Sequence, residues 1–480
     1  MEVFYSANEP GAGKSTSARE YIFSTPGLYV YAAPRIEFLR ELEKEFIVAR
    51  GGGHTPVIRV THSEPDVNSA PIGTAIAAAM ADLADSPHAV LFITHQALAL
   101  VDWSRPELNA HCWHLVCDEV PDVWTSGCFR LTASHDRLRD LFKAEPLATE
   151  DGSPSPDWVS VTLTTEGHTI RQTREDVLGQ QMASLWGMMA DNRTCVGKAS
   201  FFNQAAKGGE RTTLVLGSTL NADVLAPFAS RWFLAANFTS YLLYRLWSKQ
   251  GATFIERPIP SLILRTIPLG ERTRIHYFSD RNASDTFFRN ASRPLKMAAD
   301  WLNANLTQRF FYCFNETHHI PLTGTGKDLA RKVTPKQAGT NDLRDYTCAI
   351  WLAAMVPADH EVLVISSYGI SKEDVLQDRE REALYQFVMR SNLRVFDSVE
   401  PVDVYVFSRA QAESLQRMLG GGGELQHIDV GITQTLKAQL QVNKGGRKPK
   451  YATKEERDAA KREQDRLAQQ RKREKLAKAA

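Results

Sequence analysis

Residues 8–16 read Asn8-Glu9-Pro10-Gly11-Ala12-Gly13-Lys14-Ser15-Thr16. A short apolar run, Val3-Phe4-Tyr5, precedes them, and the helix-compatible Ser17-Ala18-Arg19-Glu20-Tyr21-Ile22 follows. A strand, a Gly-rich turn and a helix in that order build a phosphate site, because the N–H groups of the turn and of the helix N-terminus converge on an anion. In such a loop Lys14 reaches the β and γ oxygens of a nucleoside triphosphate, and the Ser15 hydroxyl binds Mg²⁺. Asn8, Gly11, Ala12, Gly13, Lys14, Ser15 and Thr16 are therefore the expected contacts for ATP. Asn8 stands where the usual pattern has glycine. Asparagine tolerates the left-handed conformation better than most residues, which lets the loop close.

The 480 residues leave room for two or three domains and a sizeable core. No apolar run has transmembrane length, and Glu2 and Glu9 flank the first one, so neither a membrane span nor a signal peptide is expected. Six cysteines, at 112, 117, 128, 195, 313 and 348, form no paired framework, which suits reduced thiols in a cytoplasm. Cys112, His114 and Cys117 are close enough to raise a metal reading. They lie in an apolar stretch running into an acidic pair, and a buried strand is favoured.

The formal charge of +1 is unevenly spread. Residues 444–480 hold 14 Lys or Arg against 6 Asp or Glu, a balance of +8, which leaves −7 on the rest. A basic end of this kind suits a polyanion, although a solvated charged tail is the alternative. Gly420 to Gly423 read as a flexible break ahead of it. Gly445-Gly446-Arg447-Lys448-Pro449-Lys450 resembles the minor-groove AT-hook in its Gly-Arg-x-Pro core, and Arg447, Lys448 and Lys450 are its expected nucleic-acid contacts.

The partner of the phosphate loop is Leu115-Val116-Cys117-Asp118-Glu119, an apolar run that ends in two carboxylates. At the C-terminal end of a parallel strand, Asp118 can complete the Mg²⁺ shell while Glu119 positions the attacking water.

With these two stretches in place, the order of segments over residues 1–410 resembles superfamily 2 helicases, the group that includes the DEAD/DEAH-box enzymes. Tyr31-Ala32-Ala33-Pro34-Arg35 is similar to motif Ia, and Phe92-Ile93-Thr94-His95-Gln96 to a neighbouring strand-contacting motif. The resemblance implies nucleic-acid contacts at Pro34, Arg35, Thr94 and His95. Asp118-Glu119-Val120-Pro121 stands at motif II, and Val215 to Leu220 resembles motif III, with Ser218 and Thr219 coupling hydrolysis to domain movement.

Phe310 to Glu316 is an apolar strand ending in polar residues, as in motif IV. Thr334 to Asp342, before the strand-like Tyr346 to Leu352, resembles motif V and implies contacts at Thr340 and Asn341. Tyr385 to Arg394 resembles motif VI. Spacings of four and eight put Gln386, Arg390 and Arg394 on one helical face. A guanidinium delivered from a second domain stabilises charge on the transferring phosphoryl group. Arg394 falls one position later than the family pattern, so Arg390 is the preferred finger and Arg394 is alternatively a structural ion pair.

Motif II ends in an unusual Val-Pro, and about a hundred residues separate Glu119 from Ser218. That interval holds the turn-rich Glu150 to Pro156 and the alternating Val159 to Thr164, which predict a β-containing insertion. His318 and His319 are adjacent, hence on opposite faces of a strand, and suit no shared metal. Tyr241 to Trp247 fit a helix packing an interdomain surface, with base stacking as the alternative.

The expected architecture is α/β: two tandem RecA-like domains, each with a mainly parallel sheet, facing each other across an ATP cleft. The first spans about 1–255 with an insertion at about 128–210, the second 256–422, and a basic nucleic-acid-binding tail occupies 423–480. The resemblance implies an ATP- and Mg²⁺-dependent helicase or translocase, with DNA favoured over RNA and replication proteins as partners. The wording of motifs Ia, V and VI is similar to helicases of phages, plasmids and integrated elements, which implies a bacterial or phage-infected cytoplasm. Two alternatives stay open: a terminase-like DNA packaging motor, and an ATP-switched DNA-binding recruitment protein.

Overall fold

The computed structural model describes residues 1–48, 55–62, 71–131, 140–148, 152–172, 183–205, 212–259, 265–289, 293–318, 320–326, 328–336 and 342–432. Thr340, Asn341 and the whole basic arm with Arg447, Lys448 and Lys450 lie outside these residues, as does His319. No described helix is long and apolar enough to cross a membrane.

Among the described residues the strands form three sheets. Strands β1 (Glu2–Ser6), β2 (Leu28–Ala33), β3 (Val57–Val60), β4 (Ala89–Thr94) and β5 (Trp113–Asp118) belong to the first. Strands β6 (Trp124–Leu131), β7 (Phe142–Ala148), β8 (Pro154–Leu163), β9 (Arg193–Lys198) and β10 (Thr212–Leu220) form the second, after which β11 (Ser230–Leu234) and β12 (Thr253–Glu256) return to the first. The first sheet is parallel throughout, in the order β12-β1-β11-β5-β2-β4-β3. Its central strands are near-continuous apolar runs, as a sheet covered on both faces requires. Alternate residues feed the two faces. Tyr29, Tyr31, Phe92 and Val116 meet Ile22, Leu39 and Phe46 of the helices Lys14–Ser24 and Ile36–Val48. Val30, Leu91 and Leu115 meet Ile76, Met80 and Trp247 of the helices Ile72–Leu83 and Leu242–Lys249.

The second sheet is antiparallel, in the order β6-β10-β9-β8-β7. It runs from Trp124 to Leu220, wider at both ends than the expected insertion, and β8 starts at Pro154 inside the stretch read as turns. Ser218 and Thr219 lie on β10, paired with Cys195 and Thr194 of β9, and so belong to this sheet instead of the first. Ser218 Oγ donates to the Met188 carbonyl at 2.6 Å and accepts from Arg193 Nε at 2.9 Å. Sequence alone could not separate a strand of the insertion from a strand of the main sheet, since an apolar run does not encode its pairing partner.

The third sheet comprises β13 (Thr273–Ser279), β14 (Phe310–Cys313), β15 (Ala330–Lys332), β16 (Cys348–Trp351), β17 (Val402–Ser408) and β18 (Glu424–His427). All its pairings are parallel, in the order β15-β14-β16-β17-β13-β18. The expected break at Gly420 to Gly423 is instead a defined turn between the helix Arg409–Met418 and β18. All four glycines take positive φ, and a Cβ at the neighbouring Gly270 would lie 1.8 Å from the Gly421 carbonyl oxygen. The Ile428 amide then donates to Tyr277, and Ile432 is buried in the core, so this domain continues past 422. The fold is α/β: two tandem RecA-like domains, each with a parallel sheet, and an antiparallel insertion in the first.

Candidate functional site

Ser6, Leu234 and Asp118 end β1, β11 and β5 at one level of the first sheet. The crevice outside the carboxyl ends of parallel strands is where ligands bind in such sheets. Here the turn 8–13 sits over it. Gly11 and Gly13 take φ of 84° and 87°, and the helix that starts at Lys14 points its N-terminus into the crevice. Asn8 is not in the left-handed region that its sequence position suggested. Its amide instead forms a reciprocal pair with Ile259, donating to the carbonyl at 2.8 Å and accepting the N–H at 3.4 Å. The side chain that replaces glycine therefore ties the loop to the end of the first domain.

Lys14 donates its ammonium to the carbonyls of Asn8 and Glu9. Burial pushes its pKa down to about 8, against the pull of Asp118. Ser15 Oγ donates to Asp118 Oδ2 at 2.7 Å, and the Tyr31 hydroxyl donates to the same oxygen at 2.9 Å. Burial raises the Asp118 pKa, and these two donors with Lys14 oppose the rise. Glu119, next in the chain, has φ +65°, uncommon for a residue with a long side chain, and its N–H donates to the Leu234 carbonyl at 3.1 Å. Burial raises its pKa too, with Arg390 the main opposing charge.

The second domain closes the crevice into a cleft of about 530 Å³ whose walls include Lys14, Ser15, Asp118, Glu119, Arg390 and Arg394. Arg390 is 8% exposed, its Nη1 is buried without a hydrogen-bond partner, and burial pushes its pKa down to about 10. The single helical face predicted for Gln386, Arg390 and Arg394 does not form, because the helix Glu382–Val388 stops before the first arginine. Ser391 Oγ accepts the Leu393 amide, and the 3₁₀ turn Asn392–Arg394 re-aims Arg394. Its Cγ lies against Gly11, 2.9 Å from where a Cβ would stand. Gln386 also lines the cleft, and its amide donates to Glu382 at 2.8 Å.

The predicted nucleic-acid contacts are placed differently. Pro34 and Arg35 join β2 to the helix Ile36–Val48, and Arg35 donates to the Lys336 carbonyl of the second domain. Thr94 caps the helix His95–Leu100 by accepting the Ala97 amide at 3.1 Å. His95 Nε2 meets the Asp118 carbonyl at 2.9 Å, and burial pushes its pKa down to about 4. Thr94 thus caps its own helix, while His95 braces the strand that carries Asp118. His114 and Cys117 alternate across β5, and among the described residues no group of three or more His, Cys, Asp or Glu is placed to hold a metal ion by itself.

Sequence reasoning missed Tyr31, Arg265 and Glu382, and read Tyr241 only as part of an interdomain packing surface, where it meets Glu382. Arg265 Nε bonds both Glu9 carboxylate oxygens at 2.8 Å, Nη1 donates to Leu393 at 2.7 Å, and the guanidinium stacks 3.9 Å from the Phe396 ring. No local pattern signals Arg265 or Tyr31. Glu382 lies four residues before Gln386, and extending that spacing backwards would have found it.

No family model matches the chain, and no curated protein matches it. Among solved structures, one titled XPD helicase is 8% identical, with 89% of this chain and 96% of that chain covered and a TM-score of 0.48. Xpd4 of S. tokodaii is 11% identical with the same coverage and a TM-score of 0.44.

Proposed function

We propose that the chain is an ATP-dependent nucleic-acid helicase or translocase, acting on DNA in the replication or recombination of a mobile element. One observation carries the ATPase part: Arg390, from the second domain, brings a buried and unpartnered Nη1 to a cleft that holds Glu119 and the phosphate loop. A buried guanidinium nitrogen without a partner is costly unless an anion completes it.

The donor set fits Mg·ATP. Lys14 and the amides of the turn hold phosphate oxygens, while Ser15 and Asp118, already joined by a hydrogen bond, would hold the magnesium ion. When bound, Mg·ATP supplies the phosphoanhydride bond that is cleaved. Glu119 orients water and takes its proton, a role helped by the raised carboxyl pKa. Arg390, with Arg394 beside Gly11, stabilises the charge that develops on the phosphoryl oxygens. Arg390 and Arg394 reach the cleft from a second parallel-sheet domain, which favours a two-domain motor over a packaging motor.

Support for a nucleic-acid track comes from Arg35, which spans the two domains next to the expected motif V segment, and from the basic arm at 444–480. The Gly-Arg-x-Pro core of that arm favours DNA. Ser218 and Thr219 do not line the cleft, and the segment Leu234 to Tyr241, which does at Leu234, Ala235, Ala236 and Tyr241, takes over the coupling role.

The test is ATP hydrolysis with and without single-stranded DNA, duplex DNA and RNA, beside Lys14→Ala and Glu119→Gln. Stimulation by one polymer, lost in Lys14→Ala, supports a motor and names its track. Glu119→Gln should keep nucleotide binding and lose turnover by roughly a hundredfold or more; retained turnover would sink the assignment of the water-activating carboxylate. Turnover indifferent to every polymer would favour the ATP-switched recruitment protein.

A further inference from the structure

Upstream of Arg390 a polar stripe continues at intervals of four: Gln386, Glu382, Asp378 and Asp374. On an α-helix four residues overshoot a turn by about 40°, so such a stripe soon winds off its face. Here wider π-type turns over Gln377–Arg381 interrupt the helix and take up the overshoot. Each of the three acids meets the first domain. Asp374 pairs with Arg245 at 3.1 Å, Asp378 accepts the Leu242 amide at 2.9 Å, and Glu382 accepts Asn237 Nδ2 at 3.0 Å and the Tyr241 hydroxyl at 3.2 Å.

Glu382 occupies the centre of this contact. It is 2% exposed, and the oxygen that takes Tyr241 also takes Gln386 Nε2 at 2.8 Å. Its partners lead to both sides of the cleft. Asn237 and Tyr241 follow β11, whose Leu234 carbonyl holds the Glu119 amide, and whose following Ala235 and Ala236 line the cleft. Gln386 is one turn before Arg390.

Resting on the ATPase reading, we propose that Glu382 is a positioning residue for hydrolysis: by clasping Asn237 and Tyr241 it locks Arg390 of one domain against Glu119 of the other. The clasp needs the ionised acid, because three donors point at two oxygens and a carboxyl proton would face one of them. Burial pushes the Glu382 pKa up to about 7, with Asn237, Tyr241 and Gln386 pulling it down and Asp378 pushing it further up. Lys14 and Tyr385 are the other titratable groups that feel its charge. Since the folded value lies above the ordinary carboxyl value, the clasp is intact above about 7 and fails as pH falls through it.

The experiment follows kcat and KM for ATP against pH, in the full chain, for wild type, Glu382→Gln, Tyr241→Phe and Glu119→Gln. Wild-type kcat should fall on the acid side with a midpoint near 7. Glu382→Gln keeps the shape but gives up an acceptor; it should lower kcat roughly tenfold above neutral pH, leave KM within about twofold, and lose the limb near 7, keeping only the acid limb of Glu119. Tyr241→Phe, a milder change that keeps the ring in place, should move the midpoint upward, because a donor to the ionised form is gone. An unchanged kcat and an unchanged acid limb in Glu382→Gln, while Glu119→Gln is inactive, would overturn the clasp and leave the ATPase reading standing. Full turnover in Glu119→Gln, or none in wild type, would overturn both.

Discussion

Burial disfavours the charged forms of Lys14, Asp118, Glu119, Arg390 and Arg394 alike. Lys14 is the clearest case, with its pKa pushed down to about 8. Phosphate binding needs the charged ammonium, so kcat/KM for ATP should fall as pH rises through about 8, the value for the free enzyme. Lys14→Arg should remove that basic limb, since a guanidinium stays charged. The fold responds with the opposite sign. A lysine whose folded pKa lies below its unfolded value favours the unfolded state when protonated, so its contribution to stability rises from about pH 8 and levels off above the ordinary lysine value of 10.5. Arg390 depends on shape as well as charge, since it is buried with Nη1 free for an oxyanion. Arg390→Lys should lower kcat by roughly a hundredfold or more with little change in nucleotide affinity, measured by binding of a fluorescent analogue beside turnover. Near-normal turnover would reassign the finger to Arg394.

At the scale of elements, the second sheet is seated on the other domain. Val364 and Ile365 of the helix Asp359–Ile365 and Ile370 beyond it join the core cluster that holds Trp124, Val196 and Leu220. Trp124 and Tyr368 meet edge to face with centroids 5.9 Å apart. Gly217 makes the approach possible, for a Cβ there would lie 2.3 Å from Trp124 and 2.5 Å from Val364. Gly217→Ala should therefore cost about 1–3 kcal/mol of stability, read as a lower midpoint of thermal or denaturant unfolding. An unchanged midpoint would mean that the sheet does not rest on that helix. The helix carrying the acid stripe shows the same dependence on context. Its periodicity of four looks like an ordinary exposed helix face, and the π-type turns that keep it aimed have no signature in composition.

For the whole molecule, the domains are joined at the phosphate loop itself. Arg265 bonds Glu9 of the loop, the Leu393 carbonyl beside Arg394, and the face of Phe396. With the Glu382 clasp, the neighbouring Asp374 and Asp378 contacts and the Arg35 bond to the Lys336 carbonyl, it anchors the closed arrangement at several polar points. Arg265→Ala should raise the ATP concentration for half-saturation roughly tenfold, since a charge-assisted contact to the loop is lost. Small-angle scattering should report a larger radius of gyration for the variant. Unchanged values of both would show that the loop and the second domain are held together by other contacts.

The Gly-rich turn, the carboxylate pair at 118–119 and the two arginines, which meet at one cleft, could be picked out from the sequence because each rests on a local pattern. A Gly-rich turn between a strand and a helix, or an apolar run ending in acids, looks the same wherever it occurs. The parallel α/β class followed from the same runs, since strands covered on both faces must be apolar throughout. Three features escaped. Ser218, expected beyond an insertion ending at about 210, pairs inside its sheet because strand pairing is a long-range choice, and the residues that end beside Glu119, Leu234 to Asn237, carry no hydroxyl pattern. Asn8 kept the loop in place through Ile259, 251 residues away, instead of through its own backbone. The acids that meet Asn237, Tyr241 and Leu242 sit on an ordinary-looking helix until a second domain is packed against it. Sequence by itself determined which groups were candidates for the proposed chemistry; the tertiary structure alone decided which of them share a cleft, because burial, pKa and partnership depend on contacts between residues far apart in the chain.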